Sequence, residues 1–197
     1  MDKAERALGV VRRALRNEIA GQSFYSDAAF QCIDPWAKEI FATLAREEDG
    51  HARLLLAQYE ALLDQGRWLD PETAWERSAN VDITRFTFPD EEPGEELFPP
   101  HRPAGQTIDR RASDLDALAF AIHLEQSAIE MYSSSSRTTD DPIAQRVYHF
   151  LLDEETRHYH QFRTEWEKLA GQPFDEESPS SVNHTSREQG EGKEQTL

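Results

Sequence analysis

The chain has 197 residues, of which 38% are hydrophobic and 30% charged, a composition typical of one globular domain with polar extensions. Its net charge of −17 argues against a nucleic-acid partner, because phosphate neutralisation needs clustered Lys and Arg. The single cysteine, Cys32, excludes an internal disulfide, a cysteine-rich zinc knuckle and an iron site built from four thiolates. No apolar run approaches the roughly 20 residues of a membrane span, and the N-terminus lacks a signal peptide's apolar stretch, so we expect a cytoplasmic protein without a membrane partner.

Four long segments with helical apolar spacing predict α-helices. They cover about residues 4–30, 35–63, 113–137 and 142–170. The second and fourth begin at an Asp-Pro pair, in which Asp is a favourable N-cap and Pro suits the first helical position. The third is predicted to open at a capping box that starts with Ser113, and Gly171 suits the C-terminal cap of the fourth.

The connections predict how these helices are arranged. Short links at about 31–34 and 138–141 make each successive pair antiparallel, whereas a long crossover at about 64–113 separates the pairs and contains a short helix at 70–75. We therefore predict an all-α four-helix bundle over residues 1–171. Residues 172–197 are rich in Ser, Glu, Gln and Gly, which predicts a disordered acidic tail.

The two halves of the sequence repeat. Glu18 corresponds to Glu125 and His51 to His158, in both cases 107 positions later, without a gap. The Asp-Pro helix starts and the Glu-Glu pairs before the histidines align at the same offset. Any two helical hairpins share apolar spacing, but that does not explain matched polar residues inside helices. The repeat therefore indicates a shared function of these polar residues.

Six of the repeated residues form a metal-ligand pattern. Positions i and i+3 share a helix face, so each Glu-x-x-His motif can bind one ion through both side chains. One Glu from each of two helices plus Glu-x-x-His from each of the other two is the pattern of di-iron and di-manganese carboxylate proteins. The predicted ligands are Glu18, Glu48, His51, Glu125, Glu155 and His158. Glu18 and Glu125 supply carboxylates that are able to bridge two ions.

Two further residue types repeat beside these ligands. Tyr25 and Tyr132 lie seven positions after the first ligand of each half, where each phenol would pack in the core, donate a hydrogen bond to a ligand carboxylate, or do both. Glu47 and Glu154 lie four positions before the histidines. They would either be solvated or accept the N–H of the opposite repeat's histidine and so fix its tautomer.

With these motifs the sequence resembles the ferritin-like superfamily, and within it the rubrerythrin and bacterioferritin group. The resemblance covers the four helices and implies a ferritin-like bundle with a carboxylate-bridged di-iron site that reacts with oxygen or peroxide. Three departures stand out. Ala128 occupies a position where rubrerythrins usually have a further Glu, one cysteine cannot build their rubredoxin-like electron-transfer domain, and Asp49 replaces the Met through which bacterioferritins bind haem. We therefore expect two Fe ions, no haem and an external electron donor.

The leading functional hypothesis is a di-iron peroxidase or ferroxidase that oxidises Fe(II) while reducing hydrogen peroxide or oxygen. Three alternatives remain open at this stage. The same bundle would serve as an iron-storage subunit of a larger shell, as a dimanganese protein that disproportionates peroxide without a reductant, or as a non-catalytic bundle stabilised by its metals. We also expect a homo-oligomer.

Overall fold

The chain forms five α-helices in the part that the computed structural model describes, residues 3–86, 88 and 110–176. These are α1 (Lys3–Gln31), α2 (Pro35–Gln65), α3 (Pro71–Ser78), α4 (Arg110–Thr138) and α5 (Pro142–Ala170), with a 3-10 turn at Ile83–Arg85. No β-strand occurs within these ranges, so the predicted all-α fold is confirmed. None of the helices in them is both long and apolar enough to cross a membrane.

The starts of α2 and α5 show why the helices begin where they do. The Asp34 carboxylate accepts hydrogen bonds from the backbone N–H groups of Trp36 and Ala37, at 2.9 and 3.0 Å. Asp141 caps α5 in the same way. Both helices end at a glycine with positive φ, 65° at Gly66 and 71° at Gly171, a conformation that glycine adopts without steric cost.

Each long helix packs chiefly on its partner in the hairpin, α1 on α2 and α4 on α5. Narrower contacts join α1 to α4 and α2 to α5, which closes the bundle, and α3 lies across α2 and α5. The crossover contains the predicted short helix, which is α3 and is slightly longer than the predicted range 70–75. Most of its remainder, residues 87 and 89–109, lies outside the described residues.

The predicted start of α4 is wrong. The helix begins at Arg110, so Ser113 does not cap it. The next residue, Asp114, is buried and serves the other hairpin, because its carboxylate accepts the backbone N–H groups of Ile33 and Asp34 at 3.0 and 2.8 Å. A tertiary contact to the α1–α2 link has therefore replaced the expected local cap.

The apolar core has two parts, one on each side of a polar layer at mid-length. Examples of the first part are Leu15, Leu55, Tyr132 and Leu151, and of the second Tyr25, Phe41, Leu118 and Phe162. Along α2 the buried residues pass from Phe41 and Leu44 in the second part, through Glu48 and His51, to Leu55 in the first. The polar layer therefore crosses the bundle where all four long helices meet.

The predicted tail begins too early at residue 172. Phe174 is buried against Trp166, with ring centroids 5.0 Å apart, and its backbone N–H donates to Glu167. The Tyr159 hydroxyl also donates to Glu176 at 2.8 Å. The bundle therefore includes residues up to 176, and the rest of the predicted tail, 177–197, lies outside the described residues.

Candidate metal centre

The polar layer consists of the six predicted ligands, and the structure brings all of them together. Each is at most 4% exposed: Glu18, Glu48, His51, Glu125, Glu155 and His158. Buried carboxylates and imidazoles on an apolar helix stripe cost free energy unless they are paired, protonated or bound to a cation. Six such groups at one level of the bundle therefore require a common explanation.

The donor atoms form two overlapping sets of four, each compact enough to hold one ion. One set combines Glu18 and His51 with Glu48 and Glu155, and the other combines Glu125 and His158 with the same two carboxylates. Within each set the four donor atoms lie within 4.8 Å of one another. Each hairpin thus supplies a terminal Glu and His for one site and one carboxylate to both.

The shared carboxylates each direct one oxygen towards each histidine. Glu48 places Oε2 at 3.3 Å from His51 Nδ1 and Oε1 at 3.1 Å from His158 Nδ1. Glu155 places Oε1 and Oε2 at 3.5 and 3.4 Å from the same two nitrogens. Glu48 and Glu155 are therefore the carboxylates common to both donor sets, whereas Glu18 and Glu125 each belong to one set. That Glu18 and Glu125 bridge two ions stays a prediction.

The tyrosines hold the carboxylates of Glu18 and Glu125. The Tyr25 hydroxyl donates to Glu125 Oε1 at 2.5 Å, and the Tyr132 hydroxyl donates to Glu18 Oε1. Each hydrogen bond crosses from one repeat to the other and fixes the orientation of a predicted ligand. Both phenols are almost completely buried and also pack in the apolar core, one in each part.

Burial and neighbouring charges shift the pKa values of the layer in opposite directions. Burial and the carboxylate of Glu155 raise the pKa of Glu18 and of Glu125 well above its usual value. Burial acts in the same direction on Glu48, but hydrogen bonds from Glu18 and the histidines lower its pKa. Burial disfavours the charged form of His158, but the nearby carboxylates of Glu155 and Glu48 raise its pKa to about 10.

The same rules apply to the other members of the layer. Hydrogen bonds to Glu155 and two further carboxylates raise the pKa of His51 despite its burial. Burial opposes ionisation of Glu155, yet the nearby imidazoles of His158 and His51 lower its pKa. Two divalent cations would balance the charge of four ionised carboxylates beside two neutral imidazoles.

The residues fit a metal pair. Glu155 Oε1 and His158 Nδ1 are buried and lack a hydrogen-bond partner of suitable geometry, although the nearest opposing atoms lie at 3.5 and 3.1 Å. Buried polar atoms normally have such a partner. Both atoms belong to the donor sets, so a bound cation would satisfy them. Carboxylate and imidazole donors suit Fe and Mn.

The sequence model of the family described as Rubrerythrin matches residues 10–166, which include all six donors. The chain belongs to the rubrerythrin family. This confirms the resemblance noted from the sequence. A hypothetical protein from Pyrococcus furiosus has a similar fold, with a TM-score of 0.61, 23% identity, and coverage of 85% of this chain and 92% of that one. No curated protein sequence matches significantly.

The two histidines of this rubrerythrin-family centre have different surroundings. His158 Nε2 lies 3.0 Å from Glu47 Oε2, the contact expected from the sequence. With the proton on Nε2, His158 donates to Glu47 and directs the Nδ1 lone pair towards the carboxylates. Among the described residues no hydrogen bond joins Glu154 to His51. Glu154 instead accepts from Arg157 at 2.5 Å.

Arg157 is a residue that the sequence reasoning missed. Its Nη2 donates to both Glu47 and Glu154, at 2.9 and 2.5 Å, and so links α2 to α5 beside His158. The equivalent position in the first half is Gly50, so the repeat carries no signal for it. Proximity to His158 in the sequence was the available signal, because residue i−1 of a ligand often borders the same site.

The His51 side of the rubrerythrin-family centre is covered by aromatic rings. Phe150 meets the His51 ring edge-on with centroids 6.4 Å apart, and Trp75 of α3 packs on Phe150 at 6.2 Å. A Cβ at Gly50 would lie 3.4 Å from Trp75 Cη2, so glycine leaves room for this packing. One histidine is therefore bordered by an ionic network and the other by apolar groups.

Proposed function

We propose that the protein is a di-iron carboxylate oxidoreductase that oxidises Fe(II) while reducing hydrogen peroxide or dioxygen. The observation that carries this proposal is the pair of donor sets that share Glu48 and Glu155. Shared carboxylates hold two ions close enough to act on one small molecule. Membership of the rubrerythrin family supports the same reaction class.

The residues of the centre have distinct roles in this proposal. Glu48 and Glu155 would be shared by the two ions, and each histidine would hold one of them together with Glu18 or Glu125. Tyr25 and Tyr132 orient the carboxylates of Glu125 and Glu18 through their hydrogen bonds. The apolar parts of the core on both sides exclude bulk water, which strengthens electrostatic interactions inside the layer.

Iron in this site would supply one electron per ion. Reduction of hydrogen peroxide to two water molecules consumes two electrons and two protons, so the pair matches one peroxide. An external reductant then has to return two electrons, because the single cysteine of the chain cannot form a thiolate electron-transfer centre. The proposal defines the electron donor only by class, as a separate redox protein or a small reductant.

An anaerobic Fe(II) titration of metal-free protein tests the proposal. We expect saturation at about two Fe per chain, followed by rapid oxidation when peroxide is added. The Glu48→Ala variant is the control and should lose the stoichiometric binding. Absence of stoichiometric Fe(II) binding in the unaltered protein would refute the iron assignment.

The same preparation separates the alternatives. Continued iron uptake far beyond two ions per chain would identify a storage subunit. Peroxide disproportionation by manganese-loaded protein without a reductant would identify a dimanganese enzyme. A large rise in melting temperature on metal binding, without turnover with either oxidant, would identify a structural role.

A further inference from the structure

A small cavity connects the metal layer with the groove between α1 and α4. Its volume is about 40 Å³, and four of the ligand carboxylates form its inner wall. Its other walls include Asn17, Gly21, Leu124, Ser127 and Ala128. Ser127 is exposed and Asn17 is half-buried, so the cavity leads from the ligands to the surface of the bundle.

Two small residues leave this space. Gly21 and Ala128 are equivalent positions of the repeat, each three residues after a terminal ligand and therefore on the same helix face. A Cβ at Gly21 would lie 3.9 Å from Glu48 Cγ and from the Tyr25 ring, so the backbone of α1 passes directly beside the ligands. Larger side chains at either position would extend over the carboxylates.

A ligand residue with an unsatisfied oxygen lines the same cavity. Glu155 is 1% exposed, and its Oε1 has no hydrogen-bond partner of suitable geometry. Side chains border the other sides of the centre. Phe150 and Trp75 cover His51, the Glu47–Arg157 pair covers His158, and the two apolar parts of the core lie along the bundle axis.

We propose that this cavity is the route by which the oxidant reaches the metal centre, and that Gly21 and Ala128 restrict it to molecules of the size of hydrogen peroxide or dioxygen. The proposal rests on the proposed oxidoreductase function. A water molecule needs about 10–15 Å³ of such space, so the cavity holds roughly three waters or one peroxide. Bulky organic hydroperoxides are excluded at the level of Ala128.

Substitutions that narrow or widen the cavity test this route. Ala128→Leu adds three carbon atoms beside the ligands and should slow oxidation by hydrogen peroxide by at least about tenfold. Gly21→Ala is the milder variant, since its added methyl group meets only ordinary contacts. Ser134→Leu places the same bulk at an exposed position of α4 away from the cavity and should leave the rate unchanged. Leu124→Ala should raise the rate with cumene hydroperoxide relative to that with hydrogen peroxide.

A second measurement does not depend on turnover. Azide binding to cobalt(II)-loaded protein, followed by stopped-flow visible spectroscopy, reports access to the ions directly. Association should slow by at least about tenfold in Ala128→Leu and remain unchanged in Ser134→Leu, with about two cobalt ions bound in both. Unchanged azide association in Ala128→Leu and Gly21→Ala would overturn the route.

The outcomes separate the two proposals. If the unaltered iron-loaded protein fails to react with peroxide or dioxygen, the proposed function fails, whereas the azide kinetics still measure access. If the unaltered protein reacts and Ala128→Leu reacts equally fast with full metal content, the oxidant enters elsewhere. Efficient use of cumene hydroperoxide by the unaltered protein would refute the size limit.

Discussion

Removal of the Glu47 carboxylate should weaken the binding of one metal ion more than the binding of the other. Glu47 accepts the His158 Nε2–H at 3.0 Å and is itself held by Arg157. In Glu47→Ala the His158 ring loses the partner that fixes its tautomer and orientation, while every direct ligand remains. The affected ion is the one held by Glu125 and His158. The ion beside His51 has no equivalent contact to lose.

The expected loss of metal affinity follows from the exposure of the Glu47 side chain. Loss of a carboxylate partner behind a metal-bound histidine costs about 10- to 100-fold in metal affinity. The Glu47 side chain is 34% exposed, so water partly replaces it and the effect should lie near the lower limit. We expect about a tenfold loss, which corresponds to about 1.4 kcal/mol.

Cobalt(II) titration monitored by visible spectroscopy or calorimetry measures this change. The unaltered protein should bind two ions, and Glu47→Ala should show one step of nearly unchanged affinity and one weakened step. Glu154→Ala is the matched control, because it removes the same side chain at the equivalent position of the repeat and disrupts only the pairing with Arg157. Its effect should stay below about threefold. Equal weakening in both variants, or of both steps in Glu47→Ala, would refute the reasoning.

Three further predictions follow from the same geometry. Glu48→Ala removes a shared carboxylate and should abolish binding of both ions, while the helical circular dichroism signal is retained. His158→Ala should lose one ion. Full metal content in Glu48→Ala would contradict the place of Glu48 in both donor sets. Although burial opposes protonation, the nearby carboxylates of Glu155 and Glu48 raise the pKa of His158 to about 10. The stabilisation by protonated His158 is therefore complete below the unfolded-state pKa of about 6.5 and is lost as the pH rises to about 10. The melting temperature of metal-free protein should fall across this pH range. A melting temperature that stays constant or rises would contradict the pairing of His158 with the carboxylates. Asp114→Ala leaves two backbone N–H groups without their acceptor and should lower the free energy of unfolding by about 1–3 kcal/mol. Asp114→Asn keeps an oxygen acceptor and should lower it less. Equal losses in the two variants would show that the missing acceptor is not the cause.

The helices and the donors were predictable because their signals are local. Helix period, Asp-Pro starts and terminal glycines depend on neighbouring residues, and the repeat placed the six ligands at one level. Which carboxylates the two donor sets share was not predictable, because helix phase gives a face but not the distance across the bundle. The partner of each tyrosine likewise lies in the other repeat.

The errors share a physical origin in tertiary contacts. Asp114 follows a residue that resembles an N-cap, yet its carboxylate binds the link between the two helices of the other hairpin. Phe174 lies in a polar stretch that resembles a tail, but its ring fills a site beside Trp166. Arg157 and Trp75 border the centre without any repeated or motif-like signal. In each case a distant segment decides the role of the residue.

The division of ligands between the hairpins has a consequence for how such a centre can be assembled. Each hairpin holds the terminal ligands of one ion and a single carboxylate that reaches both, so neither hairpin alone encloses a cation. Two copies of one hairpin, related by a twofold axis, would present all six donors. A half-length chain that self-associates therefore satisfies the coordination requirement in full. Positions where the halves differ, such as Arg157 opposite Gly50, are then the places where two equivalent ions become chemically distinct.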